Sequence, residues 1–378
     1  MADMQNPFNY LQFARGDRFY DRSEVRKDLR SRFLSGQTNV VLYGPRRYGK
    51  SSLVAELTDD LEKEGIPCVT IDILKLPSIS LFISAYTQKV YRKLAPIKFE
   101  LRRLCEFLKS LRPKLTLGAN GETGFSFDAV GAEIGSEALS EVLDLPHRLL
   151  PKGKRAVIVF DEFQEVGELL PNDQFERVMR SVIQNHDNVS YIFLGSRHHM
   201  LRRMFTDHNR PFYKSALTVL LDKPPLEDSI RFVISRFKCG GITIDNSCAA
   251  QLVARADNIP YFIQQIGFEV YRQTSDRGKR MVGEKAVVEA FENLAGLNRD
   301  QYEQLILTFS TAQRKLLVAL AKERTHEFDE LYRKRHELGP SSTVNSSKRK
   351  LIEDGHIEAY EGLNAVADPF FAEYLRTV

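Results

Sequence analysis

Gly44, Gly49, Lys50 and Ser51 satisfy the spacing G-x-x-x-x-G-K-[ST] inside the stretch GPRRYGKS, and that combination suits the binding of phosphate. Two glycines let the backbone curl until successive N–H groups point inward, and a helix starting at the lysine adds its partial positive charge. Lys50 is a point charge able to reach β and γ phosphates, and the Ser51 hydroxyl suits a Mg²⁺ ion bridging them. The whole loop, Gly44, Pro45, Arg46, Arg47, Tyr48, Gly49, Lys50, Ser51 and Ser52, is therefore expected to cradle a nucleoside triphosphate.

Binding alone is not chemistry. Hydrolysis needs an acid to anchor the metal and a group to orient water, and KRAVIVFDEFQEV supplies both at the end of an apolar run over 156–160. Asp161 is placed to hold Mg²⁺, directly or through water. Glu162, one residue on, is placed to polarise the attacking water as a general base. Ser196, at the end of SYIFLGS, is a candidate to hydrogen-bond either the γ phosphate or that water. The candidate catalytic residues are thus Lys50, Glu162 and Ser196, and the candidate metal ligands Ser51 and Asp161.

These residues need a scaffold that brings strand ends together. NVVLY before the loop is apolar and β-branched, and KSSLVAELTDDLEKEG after it places Leu53, Leu57 and Leu61 at helical spacing before Gly65. Three more apolar runs, at 67–73, 190–196 and 216–221, alternate with helical segments, which predicts a doubly wound α/β layer with a parallel sheet. Helical periodicity over 226–237, 246–256, 260–274 and 283–295 predicts a helical lid. Beyond 300 the order is helix 312–322, helix 326–337, Gly339-Pro340, helix 341–353, then GHIEAYEGLNAVAD as two strands turning at Glu361-Gly362. That is the pattern of a winged helix-turn-helix. The expected boundaries are 1–223 for the core, 224–298 for the lid and 299–378 for the winged helix. A glycine-punctuated insertion at 114–128 reads as a β-hairpin.

Taken together, these motifs resemble the archaeal-type ATPases of the STAND class of AAA+ P-loop NTPases, and more distantly the origin-recognition ATPases. FYDRSEVRKDL (19–29), with Arg22 and Glu24, resembles the family's opening motif; GPRRYGKSSL, with Arg46 and Arg47, its P-loop; VIVFDEFQ, with Phe163 and Gln164, its Walker B. FLGS resembles sensor 1 through Ser196, DNIPYFIQQIG resembles the sensor 2 region through Pro260, and DPFFAEYLR resembles the close of the winged helix. The resemblance implies ATP with Mg²⁺ as ligand and a lid and winged helix that clamp with ATP and loosen after hydrolysis. Two positions depart from it. Ser215 stands where the family carries an arginine that acts on the γ phosphate or a neighbouring subunit, and neither Lys214 nor Arg210 puts a planar fork there, which implies slow turnover. Asn258 replaces the glycine of a G-x-P pattern, and asparagine is the side chain best able to adopt the same left-handed turn.

Composition narrows the class further. With 378 residues, 43% apolar and 28% charged, the chain is long enough for two or three domains, and no stretch approaches the ~18 apolar residues of a membrane span. Its N-terminus lacks the layout of a secretory signal, so the expected location is the cytoplasm. Cys68, Cys105, Cys239 and Cys248 form no C-x-x-C pair, which argues against a zinc site or disulfide framework. Net charge is only +4, but residues 89–114 carry nine Lys or Arg against two Glu, a candidate interaction surface. Residues 301–378 balance eleven basic against twelve acidic side chains, although SSTVNSSKRKL (341–351) groups Ser342, Asn345, Ser346 and Arg349 on one helical face. The reading is an ATP-binding, slowly hydrolysing regulatory ATPase, with ATP and ADP as ligands and self-association or a protein partner allowed. The alternatives are an ATP-gated DNA-binding initiator or transposition regulator, contacting DNA as the full-length ATP-bound form, and a nucleotide-bound interaction scaffold with weak catalysis.

Overall fold

Apolar runs without alternation are the signature of strands buried on both faces, and five of them pair into one parallel sheet. In chain order these are β1 (Val40–Tyr43), β2 (Cys68–Asp72), β5 (Ala156–Asp161), β6 (Val189–Gly195) and β7 (Leu217–Leu220), and their order across the sheet is β2-β5-β6-β1-β7. Every pairing is parallel. β6 is buried throughout and β5 is buried up to Phe160, whereas the edge strand β7 is mostly exposed. This computed structural model describes residues 6–11, 16, 19, 22–95, 107, 108, 111, 113–117, 123–127, 135–324, 329–360 and 363–378.

The chain divides into two compact units, one of residues 23–44 and 50–221, the other of 1–22, 45–49 and 222–378. In the first, the helices Lys50–Lys63, Ile79–Leu94, Ser136–Leu149, Gln174–Ile183 and His198–Thr206 alternate with the strands. Aromatic side chains fill much of its core: Phe160 on β5 stacks on Tyr86 at 5.9 Å and on Phe193 of β6 at 6.0 Å, and Phe163 lies 4.6 Å from Phe193. Contacts of this kind contribute roughly 0.5–1.5 kcal/mol each beyond area burial. The insertion pairs as an antiparallel hairpin of β3 (Pro113–Leu117) and β4 (Thr123–Phe127), as its glycines predict, while 118–122 and 128 lie outside the described residues.

The second unit holds the predicted lid helices, observed at Leu226–Cys239, Asn246–Arg255, Pro260–Asp276 and Ala286–Leu297, with a further helix at Arg299–Leu307. The winged helix follows as Thr311–Lys322, Glu330–Arg335, Ser341–Glu353, β8 (Ile357–Tyr360), β9 (Leu363–Val366) and Pro369–Thr377. Its starts are set by local chemistry. Ser310 and Gln313 form a capping box, and Asp329 accepts from the Tyr332 amide at 3.0 Å. The helix expected from 326 is described only over Glu330–Arg335, and the expected turn at Glu361-Gly362 lies outside the described residues. Asn258 takes the left-handed conformation the sequence assigns to it, with φ 53°.

The basic stretch 89–114 is only partly described. Lys89 donates to the Thr70 carbonyl at 2.8 Å and Lys93 pairs with Glu62 at 2.7 Å; Lys98, Arg102, Arg103, Lys109 and Arg112 lie outside the described residues. Among the described residues no helix is long and apolar enough to cross a membrane.

One buried charge in the sheet unit has a measurable consequence. Glu176 is 1% exposed, and among the described residues its Oε2 lacks a hydrogen-bond partner while Oε1 accepts from the Arg210 guanidinium. Burial, reinforced by Asp173 and opposed by Arg210, pushes its carboxyl up to about 7. Because the folded state then binds the proton more tightly than the unfolded chain, the stabilisation is present below the ordinary carboxylate range and is lost as pH rises through about 7. Arg210 keeps Asp173 at 2.9 Å when Glu176 is neutralised. Glu176→Gln is therefore expected to abolish a loss of stability of up to ~3 kcal/mol between about pH 5 and pH 8, as read by denaturant titration at each pH. A parallel pH dependence in parent and variant would refute the assignment.

Candidate functional site

The loop after β1 is shaped by two separate demands on glycine. At Gly44 the demand is space: the Leu221 amide donates to the Tyr43 carbonyl at 2.8 Å, and a Cβ on Gly44 would be driven into the Leu221 carbonyl oxygen. At Gly49 it is conformation, since φ is +86° with open space around the position. Arg47 also adopts a left-handed φ of 69° without being glycine. The helix Lys50–Lys63 begins directly after the loop, so the positive end of its dipole lies at Lys50. Lys50 is 7% exposed and its Nζ donates to the Gly44 carbonyl at 2.7 Å.

Parallel pairing brings the acids to the same edge. β6 runs beside both β1 and β5, with Gly195 level with Tyr43 and Phe193 level with Phe160, so the residues after all three strands gather at their carboxyl ends. Ser51 Oγ lies 3.5 Å from Asp161 Oδ2, while Asp161 Oδ1 accepts the Glu162 amide at 3.0 Å. Asp72 sits level with Asp161 across the β2–β5 pairing and carries Lys75 at 2.9 Å. Burial raises the Asp161 carboxyl above the ordinary range, Glu162 and Asp72 push it further, and Lys50 opposes them. A hydroxyl and a carboxylate, both hard oxygen donors, in a region of excess negative charge fit a Mg²⁺ ion. Among the described residues no group of three or more His, Cys, Asp and Glu could hold a metal.

Glu162 and Ser196, nominated from separate strands, meet. Glu162 adopts a left-handed φ of 51°, and its Oε2 accepts the Ser196 amide at 3.1 Å, the Ser196 hydroxyl at 2.9 Å and the Gln164 side-chain amide at 2.6 Å. Sequence reasoning assigned no role to Gln164 or Asp72. The signals were their positions, two residues past the base and at the end of an expected strand.

The tip of the loop, Pro45–Gly49, belongs to the other unit and makes its contacts there. Arg47 pairs with Asp368 at 2.9 Å and lies over the rings of Tyr261 and Phe262, 5.1 and 4.8 Å from their centroids. Tyr48 is 2% exposed; burial and then the Glu358 carboxylate, to which it is hydrogen-bonded, raise its hydroxyl far above the usual range. Pro260, predicted for the sensor 2 region, opens the helix Pro260–Asp276, whose Tyr261 amide donates to the Arg47 carbonyl at 3.4 Å. Pro45 and Ser52 are half-buried and Arg46 is exposed. At the family arginine position, the Ser215 hydroxyl donates to the Phe212 carbonyl at 2.7 Å. Arg210 is committed to Asp173 and Glu176, and Lys214 lies over the Tyr213 ring at 5.1 Å.

Comparison with known proteins bears on the domains and the fold. Residues 31–204 match the AAA domain family, and residues 300–377 match the family described as "Probable winged helix domain". The chain carries an AAA domain and a C-terminal winged helix domain. Among solved structures, a Walker-type ATPase of Pyrococcus abyssi is 21% identical with a TM-score of 0.65, over 98% of this chain and 99% of that one. The ORC2 protein of Aeropyrum pernix, in ADPNP–ADP complexes, is 13% identical with a TM-score of 0.61, over 99% and 97%. The ORC1 protein of the same organism, in complex with DNA, is 14% identical with a TM-score of 0.52, over 96% and 94%. At these identities the likeness is one of fold. No curated protein sequence matches the chain.

The two glycines of the AAA domain loop are expected to respond differently to alanine. Gly44→Ala forces backbone to move at the β1–β7 contact and should cost on the order of 2–4 kcal/mol by denaturant unfolding, whereas Gly49→Ala meets open space and should cost about 1–2 kcal/mol. Equal costs at the two positions would contradict the steric account.

Proposed function

We propose that this chain is an ATP-binding, Mg²⁺-dependent ATPase of slow turnover that works as a nucleotide-driven conformational switch. The observation that carries the reading is how the phosphate loop is held: Lys50 and Ser51 stand beside Asp161, while Arg47 and Tyr48 are bonded to Asp368 and Glu358 of the winged helix. In this reading 1–223 is the core, 224–298 the lid and 299–378 the winged helix. The loop amides and the start of the helix Lys50–Lys63 receive the phosphates, and Lys50 exchanges the Gly44 carbonyl for phosphate oxygen. Ser51 and Asp161 would hold Mg²⁺, which when bound offsets charge on the β and γ phosphates. Glu162 takes the proton from water, and Ser196 holds the Glu162 carboxylate through two hydrogen bonds. With Arg210 committed to Asp173 and Glu176 and a serine at 215, neither position offers the γ phosphate an arginine fork, which supports slow hydrolysis.

Three substitutions test it. Lys50→Ala should weaken ATP binding about tenfold or more, and Glu162→Gln should leave affinity within about threefold while lowering turnover about a hundredfold, measured by nucleotide titration and phosphate release. For the switch, amide exchange over 363–378 should differ about tenfold or more between the ADP state and the ATP state trapped by Glu162→Gln, and Arg47→Ala should narrow that difference. Identical exchange in both nucleotide states would leave an ATPase but no switch.

A second reading, ATP-gated DNA binding, is favoured by one observation. In the helix Ser341–Glu353, Ser342, Asn345, Ser346 and Arg349 are exposed while Val344, Ser347 and Leu351 are buried, so a polar face is presented. The near-neutral charge of 301–378 weighs against it. Submicromolar, salt-dependent binding of duplex by residues 301–378 alone would reverse that weighting.

A further inference from the structure

We infer that Gln164 is a positioning residue for hydrolysis, fixing the Glu162 carboxylate so that one of its oxygens is left to take the proton of water. The inference rests on Glu162 being the base. Its support is geometric and lies wholly within the sheet unit.

Gln164 is 4% exposed and sits in the short turn Phe163–Glu165 that follows β5. The turn is pinned from below by the fully buried Phe163, edge-on to Phe212 at 5.5 Å. The left-handed backbone at Glu162 folds the chain back, so the side chain two residues later meets the Glu162 carboxylate at 2.6 Å and the Glu165 carboxylate at 3.2 Å. Its own Oε1 is buried without a hydrogen-bond partner among the described residues. Such an orphaned acceptor is destabilising, so something else must hold it there. Rotating the amide by half a turn would set its carbonyl oxygen against two carboxylates, which is worse. The amide therefore faces Glu162 because of charge, and its oxygen is turned away from both acids.

Where that oxygen goes explains a second residue. It fills the space over Gly195, the last residue of β6, where a Cβ would collide with it. Glycine at 195 is the condition for the amide to lie as it does. The consequence falls on Glu162: the Ser196 amide, the Ser196 hydroxyl and the Gln164 amide all donate to Oε2. With three donors that oxygen has no lone pair to spare, and the proton acceptor is the other oxygen, Oε1. A base held in one orientation loses less to misalignment than one free to rotate.

The test uses the full-length protein with Mg²⁺ and ATP in single-turnover and steady-state assays. Gln164→Met keeps volume and removes the donor; it is expected to lower kcat about tenfold while KM and the affinity for a non-hydrolysable ATP analogue stay within about twofold. Gly195→Ala displaces the amide from outside and is expected to give the same loss. In a Gln164→Ala background the added Gly195→Ala should lower kcat no further, because the Gln164 oxygen it displaces is gone and the remaining neighbour at 3.0 Å is the flexible end of Leu201, which touches neither Glu162 nor Ser196 through a hydrogen bond. Melting temperatures of the nucleotide-free variants separate this from a packing role. A kcat within twofold of the parent in Gln164→Met, or losses at 164 and 195 that simply multiply, would overturn the inference. So would a rise in KM and analogue affinity constant matching the fall in kcat. If Gln164→Met fails to fold, Gly195→Ala and its double variant decide the matter alone. Turnover at the parent rate in Glu162→Gln removes the base assignment and this inference with it; slow Glu162→Gln beside fast Gln164→Met removes only the inference.

Discussion

Strands that all run the same way must end on the same edge, and the rest of the AAA domain depends on that constraint. β1, β6 and β5 are neighbours in a parallel sheet, so Gly44, Ser196 and Asp161-Glu162 leave from the same edge although more than a hundred residues separate the first from the others. An antiparallel partner at any of these positions would send one group to the opposite edge. The edge then collects charge of both signs: Lys50 lies buried against a carbonyl, and Asp161 is raised by burial and by two neighbouring carboxylates. In the proposed reading a phosphate faces the buried Lys50 and a divalent cation faces the Asp161 carboxylate, so that each brings charge of the opposite sign to this edge.

The tip of the loop follows a different logic, that of weak and reversible contacts. Arg47 and Asp368 are 43% and 24% exposed, and a pair so hydrated contributes about 0.2–1 kcal/mol. The rings of Tyr261 and Phe262 beneath the guanidinium add an interaction of similar size. Asp368 also accepts the Phe370 amide at 2.9 Å and the Phe371 amide at 3.2 Å as the cap of the last helix, so loss of Arg47 leaves it satisfied. A tie that breaks without stranding a buried charge suits the proposed switch. The contrast with Glu176 and Arg210 is instructive, since there burial makes the pair expensive to disturb and argues for a structural role.

Much of this was legible in the sequence because it is local. The loop follows from glycine spacing, the five strands from unbroken apolar runs, the lid and winged helix from helical periodicity and turn residues, and the left-handed turn at Asn258 from the chemistry of a single side chain. Lys50, Ser51, Asp161, Glu162 and Ser196 could be nominated because each stands at a fixed offset from a strand end. Each of these features is decided within about ten residues of chain, where φ/ψ preference and amphipathic period operate.

What tertiary structure alone decided is which strand ends meet. No local pattern orders β5 between β2 and β6, levels Asp72 with Asp161, or ties Arg210 into an acidic pair, because those relations span tens of residues and arise from sheet register and packing. The same holds for the hydrogen bonds from Ser196 and Gln164 to one oxygen of Glu162, which require a left-handed turn after β5 and a side-chain-free position at the end of β6. The sequence determined the parts and the edge on which they would lie; their distances came from the pairing of strands, which periodicity cannot encode because the central strands are buried on both faces and carry no apolar alternation to fix a register.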